Sequence, residues 1–581
     1  MLNTATQVIL EGRATYQGPD RVICHHRPET ITRRLAHLVL LPRFDLVRPY
    51  HLCWVRPLGL GLVAGGCPTL SYSTLEHFLG DLEALRVAAP LGDALARCYL
   101  EVWPIPAEGA FFYLDNRRKV RYSSYPIAAG KISTSDRILG ATTQLFLHDA
   151  AGHGLPVGRQ GLHMHSGPGD DHMTRTLLPL VQHFLTLVDR KRVRGIVADQ
   201  EMRSLALFLA LEAMELGFVT IGRTPTPKQE ATFEVEGLFV PYLRDLETGE
   251  ITHWVAHAHT LLRDRARGLS FLAEVTLVTD CRAGMPGRLI PILHSLRAQD
   301  VPIELPHGVY VGRWQGQERV FRDMRACQNL DANYGQKKVA VPNRPQERAR
   351  EDLHRKLQTQ EKQVATTQRK VREYTERIEA LKQKAQQKQV ENQTQVAALR
   401  QASREAIIPK QQKRLLAQAE RLAAKGQVQQ VRFKERRRRL REYQRIWQQK
   451  LEERQGQREK VAQALQELEE RPFYDFDLEK DNLMTYLRMA GENAHHFVQE
   501  QYFAGTFLEK VDEPTMARVV YNQPGWVRRQ GRYLHARLQG YSDPEVQAAV
   551  AQACQRVNQA QVKLSSGHQL RMEVLAKILD C

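Results

Sequence analysis

Apolar residues in the second half of the chain recur in steps of three, four or seven, which is the spacing of a coiled-coil seam. The pattern fills residues 345–471, is rich in Gln, Lys, Glu and Arg between the apolar positions, and breaks at Pro409. Each side of the break has about 60 residues, enough for a helix about 90 Å long. We therefore predict an antiparallel helical hairpin that bends near Pro409. Its seam positions are Leu353, Leu357, Val364, Val371, Tyr374, Ile378, Leu381 and Leu399, then Leu415, Leu422, Tyr443, Trp447, Leu451, Leu465 and Leu468.

Residues 1–105 form a mixed, largely helical region, and residues 28–42 have helical spacing. Ser73 and Glu76 fit a capping box, in which Ser or Thr is followed three residues later by Glu. They open an amphipathic helix. Its apolar positions are Leu75, Phe78, Leu79, Leu82 and Leu85.

Residues 106–340 alternate between short apolar runs and helical patterns, which is typical of an α/β domain. Within them, residues 223–282 carry short β-type runs separated by turns, so we predict a β-strand insertion there. The pattern after the insertion predicts helices at Ile290–Leu296 and Gly312–Arg325. Before it, we expect strands at Phe111–Asp115, Lys119–Tyr122, Thr143–His148, Gly195–Ala198 and Phe218–Ile221, and helices at Met173–Val188 and Arg203–Leu216.

The last segment, residues 473–581, predicts a small α+β module. Its expected elements are a helix at Leu478–Tyr502, strands at Met516–Tyr521 and Tyr533–Leu538 around the basic turn Arg528–Arg532, and a helix at Asp543–Val562 capped by Ser542.

The charge balance is strongly basic, with 83 Lys and Arg against 65 Asp and Glu and a net charge of +18 over 581 residues. Such a balance indicates a polyanionic partner, most simply DNA, although a basic protein without such a partner is the alternative. No apolar run approaches the roughly 20 residues needed to span a bilayer, and the N-terminus lacks a secretion signal. The eight cysteines form no CxxC pair. We therefore expect a cytoplasmic protein with no membrane partner.

Three acids are candidates for chemistry. Asp115 ends the apolar run that begins at Ala110, and Asp199 ends the run that begins at Gly195. Glu318 follows in a basic helix. Taken alone, each acid reads as a cap or a surface ion pair. Two strand-end aspartates and a later helical glutamate are together what a two-metal phosphoryl-transfer site needs, because carboxylate oxygens are ligands that Mg²⁺ accepts.

At this point the sequence resembles a known family, the DDE transposases of bacterial insertion sequences, in the group with a β-rich insertion between the second Asp and the Glu. The resemblance covers about half the chain, and the spacings of 84 and 119 residues between the three acids suit that architecture. One departure concerns Arg313, since four residues separate it from Glu318 where the family has three. On a regular α-helix the extra residue would rotate Arg313 by about 100° relative to Glu318. The motifs are Tyr113-Leu-Asp115, Ile196-Val-Ala-Asp199, Val278-Thr-Asp280, and Tyr310-x-x-Arg313-Trp314 followed by Gln317-Glu318 and Arg325.

The resemblance implies an RNase H-like catalytic core and metal-dependent cleavage of transposon ends with strand transfer into target DNA. Asp115 would bridge two Mg²⁺ ions, for which Mn²⁺ can substitute, while Asp199 and Glu318 would each hold one. Asp280 would be a polar strand end and not a ligand. The implied partners are transposon-end and target DNA, bound by a homodimer in a synaptic complex at the bacterial nucleoid, and residues 1–105 are a candidate end-binding region. The helical residues expected to contact DNA are Arg313, Trp314, Arg319, Arg322 and Arg325.

The densest basic run, residues 432–441, lies in the second arm of the hairpin and includes Arg436, Arg437, Arg438 and Arg439. It could bind phosphates without reading sequence, or it could be a solvated coiled-coil face. The hairpin could also dimerise or recruit a protein. Two functional classes therefore stay open: a DDE transposase, and a non-catalytic or domesticated DNA-binding or scaffold protein that works through the coiled coil.

Overall fold

The computed structural model divides the chain into two units, one of residues 1–341 and 474–581 and one formed by the hairpin segment between them. The fold is mixed α/β, with a large mixed sheet and a long helix pair. The structure describes residues 1–17, 26–55, 57–66, 68–122, 129–132, 137–150, 153–155, 161–163, 172–230, 232–265, 267–282, 287–296, 301–335, 337–340, 344–469, 474–564 and 566–576.

The N-terminal region is helical, with α1 (Leu2–Ala14), α2 (Pro28–Leu40), α3 (Leu58–Val63), α4 (Tyr72–Leu85) and α5 (Ala88–Val102). The apolar stripe predicted for α4 is confirmed, because all five of its positions are buried. The capping box is wrong by two residues. Ser71 caps the helix, and its hydroxyl accepts a hydrogen bond from the backbone N–H of Thr74.

Eleven described strands form one sheet in the first unit. Three adjacent strands run parallel, and the rest of the ladder is antiparallel. The elements are β1 (Ala110–Val120), β2 (Ala129–Ile132), β3 (Arg137–His148), β4 (Gly154–Leu155), β5 (Gly161–His163), α6 (His172–Phe184), β6 (Val193–Ala198), α7 (Leu205–Ala213), β7 (Gly217–Ile221), α8 (Pro227–Glu230), β8 (Glu234–Arg244), β9 (Ile251–Asp264), β10 (Leu269–Asp280) and β11 (Arg288–His294). The main path is β2-β3-β1-β6-β7-β11-β10-β9-β8, and β4 and β5 both pair with β3.

The predicted β insertion extends the central sheet. Strands β8, β9 and β10 lie in that segment and join the sheet through β11, which pairs with β7 on one side and β10 on the other. The helix predicted at Ile290–Leu296 is therefore wrong. A short apolar run buried between two strands has no alternation by which it could be recognised.

Strand β1 is longer than predicted: Lys119 and Val120 are its last residues, so the separate strand expected at Lys119–Tyr122 is wrong. Its far end is fixed to the last part of the chain by a buried ionic cluster. Asp481 accepts hydrogen bonds from the Lys119 ammonium at 2.7 Å and from the Gln144 amide at 3.0 Å, and it pairs with Arg121 at 2.8 Å. All four residues are buried, so the cluster locks β1 and β3 against residues C-terminal to the hairpin.

The sheet is followed by α9 (Leu305–Arg313), a π-helical turn at Trp314–Glu318, α10 (Arg319–Cys327) and β12 (Lys338–Ala340). The second unit then contains α11 (Arg344–Glu405) and α12 (Pro409–Glu469), which confirms the predicted helical hairpin. Pro409 opens the second helix. Cross-helix contacts, such as Asn392 to the Leu422 carbonyl and Gln430 to the Ala385 carbonyl, show the antiparallel pairing.

The C-terminal part contains β13 (Tyr474–Phe476), α13 (Glu479–Tyr502), α14 (Glu513–Met516), a π-helical turn at Ala517–Tyr521, β14 (Gly525–Gln530), β15 (Tyr533–Leu538), α15 (Pro544–Gln559) and β16 (Gln569–Val574). Strand β13 pairs with β12, so the two chain segments that flank the hairpin lie side by side. The strand predicted at Met516–Tyr521 is wrong, because this segment is helical. The cap of α15 is Asp543 and not Ser542. Among the described helices, none combines the length and apolar character needed to cross a bilayer.

Candidate active site

Asp115 and Asp199 directly follow the last paired residues of two neighbouring parallel strands. In the β1–β6 ladder Tyr113 lies opposite Val197 and Leu114 opposite Ala198, so the next residue along each strand is one of the two aspartates. Parallel strands are about 4.8 Å apart, which brings the two carboxylates to one edge of the sheet. The apolar residues before them are buried. This burial fixes both strands in the sheet and so fixes where each aspartate lies.

The two aspartates are held differently. Asp115 lies within β1, which continues past it in register with β3, and its Oδ1 accepts a hydrogen bond from the Asn116 N–H at 2.8 Å. Asp199 follows the end of β6, and its Oδ1 accepts from the Gln200 N–H at 2.6 Å. The Thr220 hydroxyl donates to the Asp199 carbonyl at 3.0 Å. Asp199 therefore has its backbone fixed and half of its side chain exposed.

Glu318 reaches this edge because the helix carrying it packs closely on β1. Gly312 and Gly316 face the Tyr113 ring, and a Cβ at Gly312 would lie 2.8 Å from the Tyr113 hydroxyl oxygen. A Cβ at Gly316 would lie 3.2 Å from Cε2 of the same ring. Four-residue spacing puts both glycines on one face of the helix, so their missing side chains allow the approach. Sequence reasoning missed this signal, although the Gly-x-x-x-Gly spacing was present.

The π-helical turn at Trp314–Glu318 returns Arg313 to the site. A π turn closes its hydrogen bonds over one more residue than an α turn and so accommodates one extra residue. The rotation of about 100° expected on a regular α-helix therefore does not turn Arg313 away from Glu318. Its guanidinium Nη2 lies 3.9 Å from Asp199 Oδ2 and 3.9 Å from Glu318 Oε1, although the Arg313 side chain is almost fully buried.

The four charged groups act on one another. Burial, with the negative charges of Glu318 and Asp199, raises the pKa of the Asp115 carboxyl to about 7, against the lowering effects of Arg313 and of the hydrogen bond from the Asn116 N–H. Tyr310 also belongs to the site, since its hydroxyl donates to Asp199 Oδ1 at 3.3 Å. Burial raises the pKa of Tyr310 to about 12, so the phenol stays protonated and keeps donating.

The chemistry of the donor set suits a hard divalent cation, because three carboxylates supply oxygen ligands and the buried Asp115 would gain from added positive charge. As they stand, the described residues contain no group of three or more His, Cys, Asp or Glu side chains arranged to hold a metal ion. Arg313 supplies the positive charge between Asp199 and Glu318 instead. Polar atoms nearby stay open to further partners: Arg313 Nε and Nη1 and both amide atoms of Gln317 are buried without a hydrogen bond.

Of the other residues expected to contact DNA, Trp314 lies in the π-helical turn, and Arg319, Arg322 and Arg325 lie on α10. Trp314 is 58% exposed. Arg319 and Arg322 lie against Asp323, with Arg322 also 3.3 Å from Asp512. The Arg325 guanidinium lies 3.2 Å from Asp331. All three guanidinium groups are partly exposed and partly neutralised by acids. A phosphate would have to compete with those carboxylates.

Asp280 ends β10, as predicted for a polar strand end, but it has its own partner. The Arg282 guanidinium donates to both carboxylate oxygens, at 3.0 and 2.6 Å. These hydrogen bonds lower the pKa of Asp280 to about 2. Asp280 is therefore a strand-end aspartate of the same sheet that is already neutralised, which makes it a natural control for Asp115 and Asp199.

The basic run of the hairpin presents its arginines unequally. Arg436, Arg438 and Arg439 are exposed on α12, whereas Arg437 is half-buried and lines a space together with Leu381 and Phe433 at the helix–helix seam. Of the four successive arginines, three are therefore open to a ligand.

Comparison of the sequence with protein-family models and with curated proteins finds no match.

Proposed function

We propose that this protein is a DDE transposase: a divalent-metal-dependent DNA endonuclease and strand transferase with an RNase H-like core. The observation that carries the proposal is that Asp115 and Asp199 follow paired residues of adjacent parallel strands. Glu318 lies beside them because Gly312 and Gly316 let its helix pack closely on β1. Asp115, Asp199 and Glu318 are the proposed metal ligands. The proposed partners are transposon-end and target DNA, with a homodimer as the assembled form.

In this proposal the chain's own residues arrange the reaction. Two Mg²⁺ ions, when bound, would activate the attacking oxygen and stabilise the charge on the leaving oxygen. Asp115 would face both metal positions, while Asp199 and Glu318 would each face one. The Tyr310 hydroxyl, hydrogen-bonded to Asp199, orients that carboxylate. Arg313, released from its contacts with Asp199 and Glu318, would place its planar donors on the phosphate being transferred.

The test is cleavage of a plasmid that carries the gene with its natural flanks, in Mg²⁺ and in EDTA. We expect Mg²⁺-dependent nicking at the element ends by the wild-type protein and none by Glu318→Gln, while DNA affinity and melting temperature stay close to wild type. Asp280→Asn is the matched control and should cleave normally. Full cleavage by Glu318→Gln would remove this residue from the active site.

A DNA-binding or scaffold function without catalysis is the second candidate, and the charge of the hairpin favours it. Residues 344–469 carry 32 of the 83 Lys and Arg and 17 of the 65 Asp and Glu, hence +15 of the net +18. A protein that binds DNA through this arm would need no active site. Tight DNA binding without nicking in Mg²⁺ or Mn²⁺ would favour this candidate over the transposase.

A further inference from the structure

The C-terminal sheet exposes one face. Its three strands are in the order β14-β15-β16, and Leu538, Met572 and Val574 pack with α15 in a small apolar core on the inner side. Side chains alternate along each strand, so the residues between these point to the opposite side. We call that side the outer face. It contains Trp526, Arg528, Gln530, Tyr533, His535, Arg537, Gln569, Arg571 and Glu573.

Register places aromatic and cationic side chains next to each other on the outer face. Trp526 pairs with Arg537 across β14 and β15, and Arg528 pairs with His535. His535 in turn lies beside Arg571 on β16. The Trp526 side chain is 50% exposed and the Arg537 side chain 60% exposed, so these groups are accessible to a ligand.

Tyr533 is the second aromatic anchor. Its ring lies under two guanidinium groups, with Arg532 Cζ at 5.0 Å and Arg571 Cζ at 5.3 Å from the ring centre. Arg532 also donates to the Tyr533 hydroxyl at 2.7 Å. Four residues of β14 separate the level of Trp526 from that of Tyr533, which corresponds to about 14 Å. Trp526 and the guanidinium-covered Tyr533 are therefore two separate stacking positions with cations between them.

We propose that the outer face binds a single strand of DNA, with one base stacked on Trp526, a second on the guanidinium groups over Tyr533, and phosphates held by the other arginines. Charge complementarity supports a nucleic acid, because this region carries four arginines and one acid. The acid, Glu573, is paired with Arg537. The arginines are Arg528, Arg532, Arg537 and Arg571. A single strand fits because its unstacked bases can stack on an exposed ring or on a guanidinium plane, whereas a duplex hides its base faces. The choice of DNA over RNA rests on the proposed function. The stacking surface itself does not.

The experiment measures binding of a labelled oligothymidylate and of a duplex of the same length by the full-length protein. Trp526→Ala should weaken single-strand binding about tenfold or more, because a base stacked on an aromatic ring contributes to affinity on that scale. Its duplex affinity should be unchanged. Trp526→Phe keeps a stacking ring and should bind within about twofold of wild type. Trp54→Ala removes another exposed tryptophan and serves as the matched control.

Fluorescence gives an independent readout. Oligothymidylate should quench part of the tryptophan emission of the wild-type protein, and that part should disappear in Trp526→Phe although binding persists. Arg528→Glu supplies a second variant if Trp526→Ala is unstable, with the same selective loss expected.

Three results would overturn the proposal: unchanged single-strand affinity in both variants, an equal loss of duplex affinity, or a change of mass in solution without a change in DNA binding, which would make the face a protein interface. Tighter binding of oligouridylate than of oligothymidylate would reject DNA as the ligand. Cleavage by Glu318→Gln is measured in a different assay. Failure of the proposed function would therefore not produce any of these binding results.

Discussion

At the scale of single residues, Asp115 links the proposed chemistry to stability. Its pKa rises from 3.8 to about 7 in the folded protein, so the folded state holds this proton more tightly than the unfolded chain. Stability from this group is present at low pH and is lost as the pH rises from about 4 to 7. Above pH 7 the buried carboxylate is charged and destabilises the folded state, and a bound divalent cation would offset this destabilisation.

Asp115→Asn should therefore stabilise the metal-free protein increasingly as the pH rises, by about 1 kcal/mol or more at pH 8. At pH 4 the two proteins should melt alike. Mg²⁺ should raise the melting temperature of the wild-type protein and leave that of the variant unchanged. Thermal denaturation in EDTA and in Mg²⁺ at several pH values measures this. A stability difference that does not vary with pH would show that Asp115 is charged throughout.

The buried cluster around Asp481 gives a second residue-scale prediction. Asp481→Ala would leave the buried Lys119 and Arg121 without their carboxylate, which should cost about 3–5 kcal/mol. Glu573→Ala is the matched control, because Glu573 pairs with Arg537 and both side chains are more than half exposed, so its loss should cost about 1 kcal/mol or less. Urea denaturation of both variants compares the two costs. Equal costs would mean that the buried cluster does not fix β1.

At the scale of elements, the position of Glu318 depends on the contact between the glycine face of its helix and Tyr113. Gly312→Ala would bring a Cβ against the Tyr113 hydroxyl, with the next ring atom 3.9 Å away. The helix must then move, at a cost of about 1–3 kcal/mol. A displacement of about 1 Å at the site can slow a reaction about a hundredfold.

Removing the clashing oxygen should rescue this variant. We expect Tyr113→Phe to behave as wild type and the double variant Gly312→Ala with Tyr113→Phe to recover most of the cleavage rate and melting temperature. Cleavage kinetics of the three proteins test the contact. A double variant as slow as Gly312→Ala alone would mean that the glycine matters for another reason.

The elements also show what the sequence could and could not predict. The hairpin and α4 could be predicted because their apolar positions repeat over several turns, and each aspartate is a candidate because a buried run ends on it. Ile290–Leu296 was misassigned because a strand buried on both sides has no period of two. Met516–Tyr521 looks β-branched, but Asp512 caps the turn before it and the segment continues as helix. The extra residue between Arg313 and Glu318 was visible in the sequence, but the π turn that accommodates it was not predicted, because the spacing alone does not show how the helix adapts.

At the scale of the whole molecule, most of the net charge is on the hairpin. Duplex affinity should therefore fall steeply with salt, about a thousandfold or more between 50 and 200 mM if six or more phosphates are contacted. Replacing Arg436, Arg438 and Arg439 with Ala should reduce the slope of log affinity against log salt. Arg437→Ala, at the seam, should leave it unchanged. Affinity that does not vary with salt would exclude phosphate binding by this arm.

Deleting the hairpin should leave the rest of the protein folded, because β12 and β13 pair and already hold the two ends of the remaining chain together. We expect a cooperative thermal transition in the deletion variant, joined by a short linker. Lost oligomer with retained DNA binding would identify an assembly arm, and lost DNA binding with unchanged oligomeric state would identify a DNA clamp. An effect on neither would remove the arm from both processes.

The central claim, that Asp199 is a metal ligand of a DNA-cleaving site, is tested most directly by exchanging its oxygen for sulfur. A thiolate is a poor ligand for Mg²⁺ and a better one for softer, thiophilic ions. Asp199→Cys should therefore lose cleavage in Mg²⁺ and regain it in Mn²⁺ or Cd²⁺, whereas Asp280→Cys should cleave in Mg²⁺ as the wild-type protein does. Full activity of Asp199→Cys in Mg²⁺, or inactivity in every metal with the fold intact, would contradict the account.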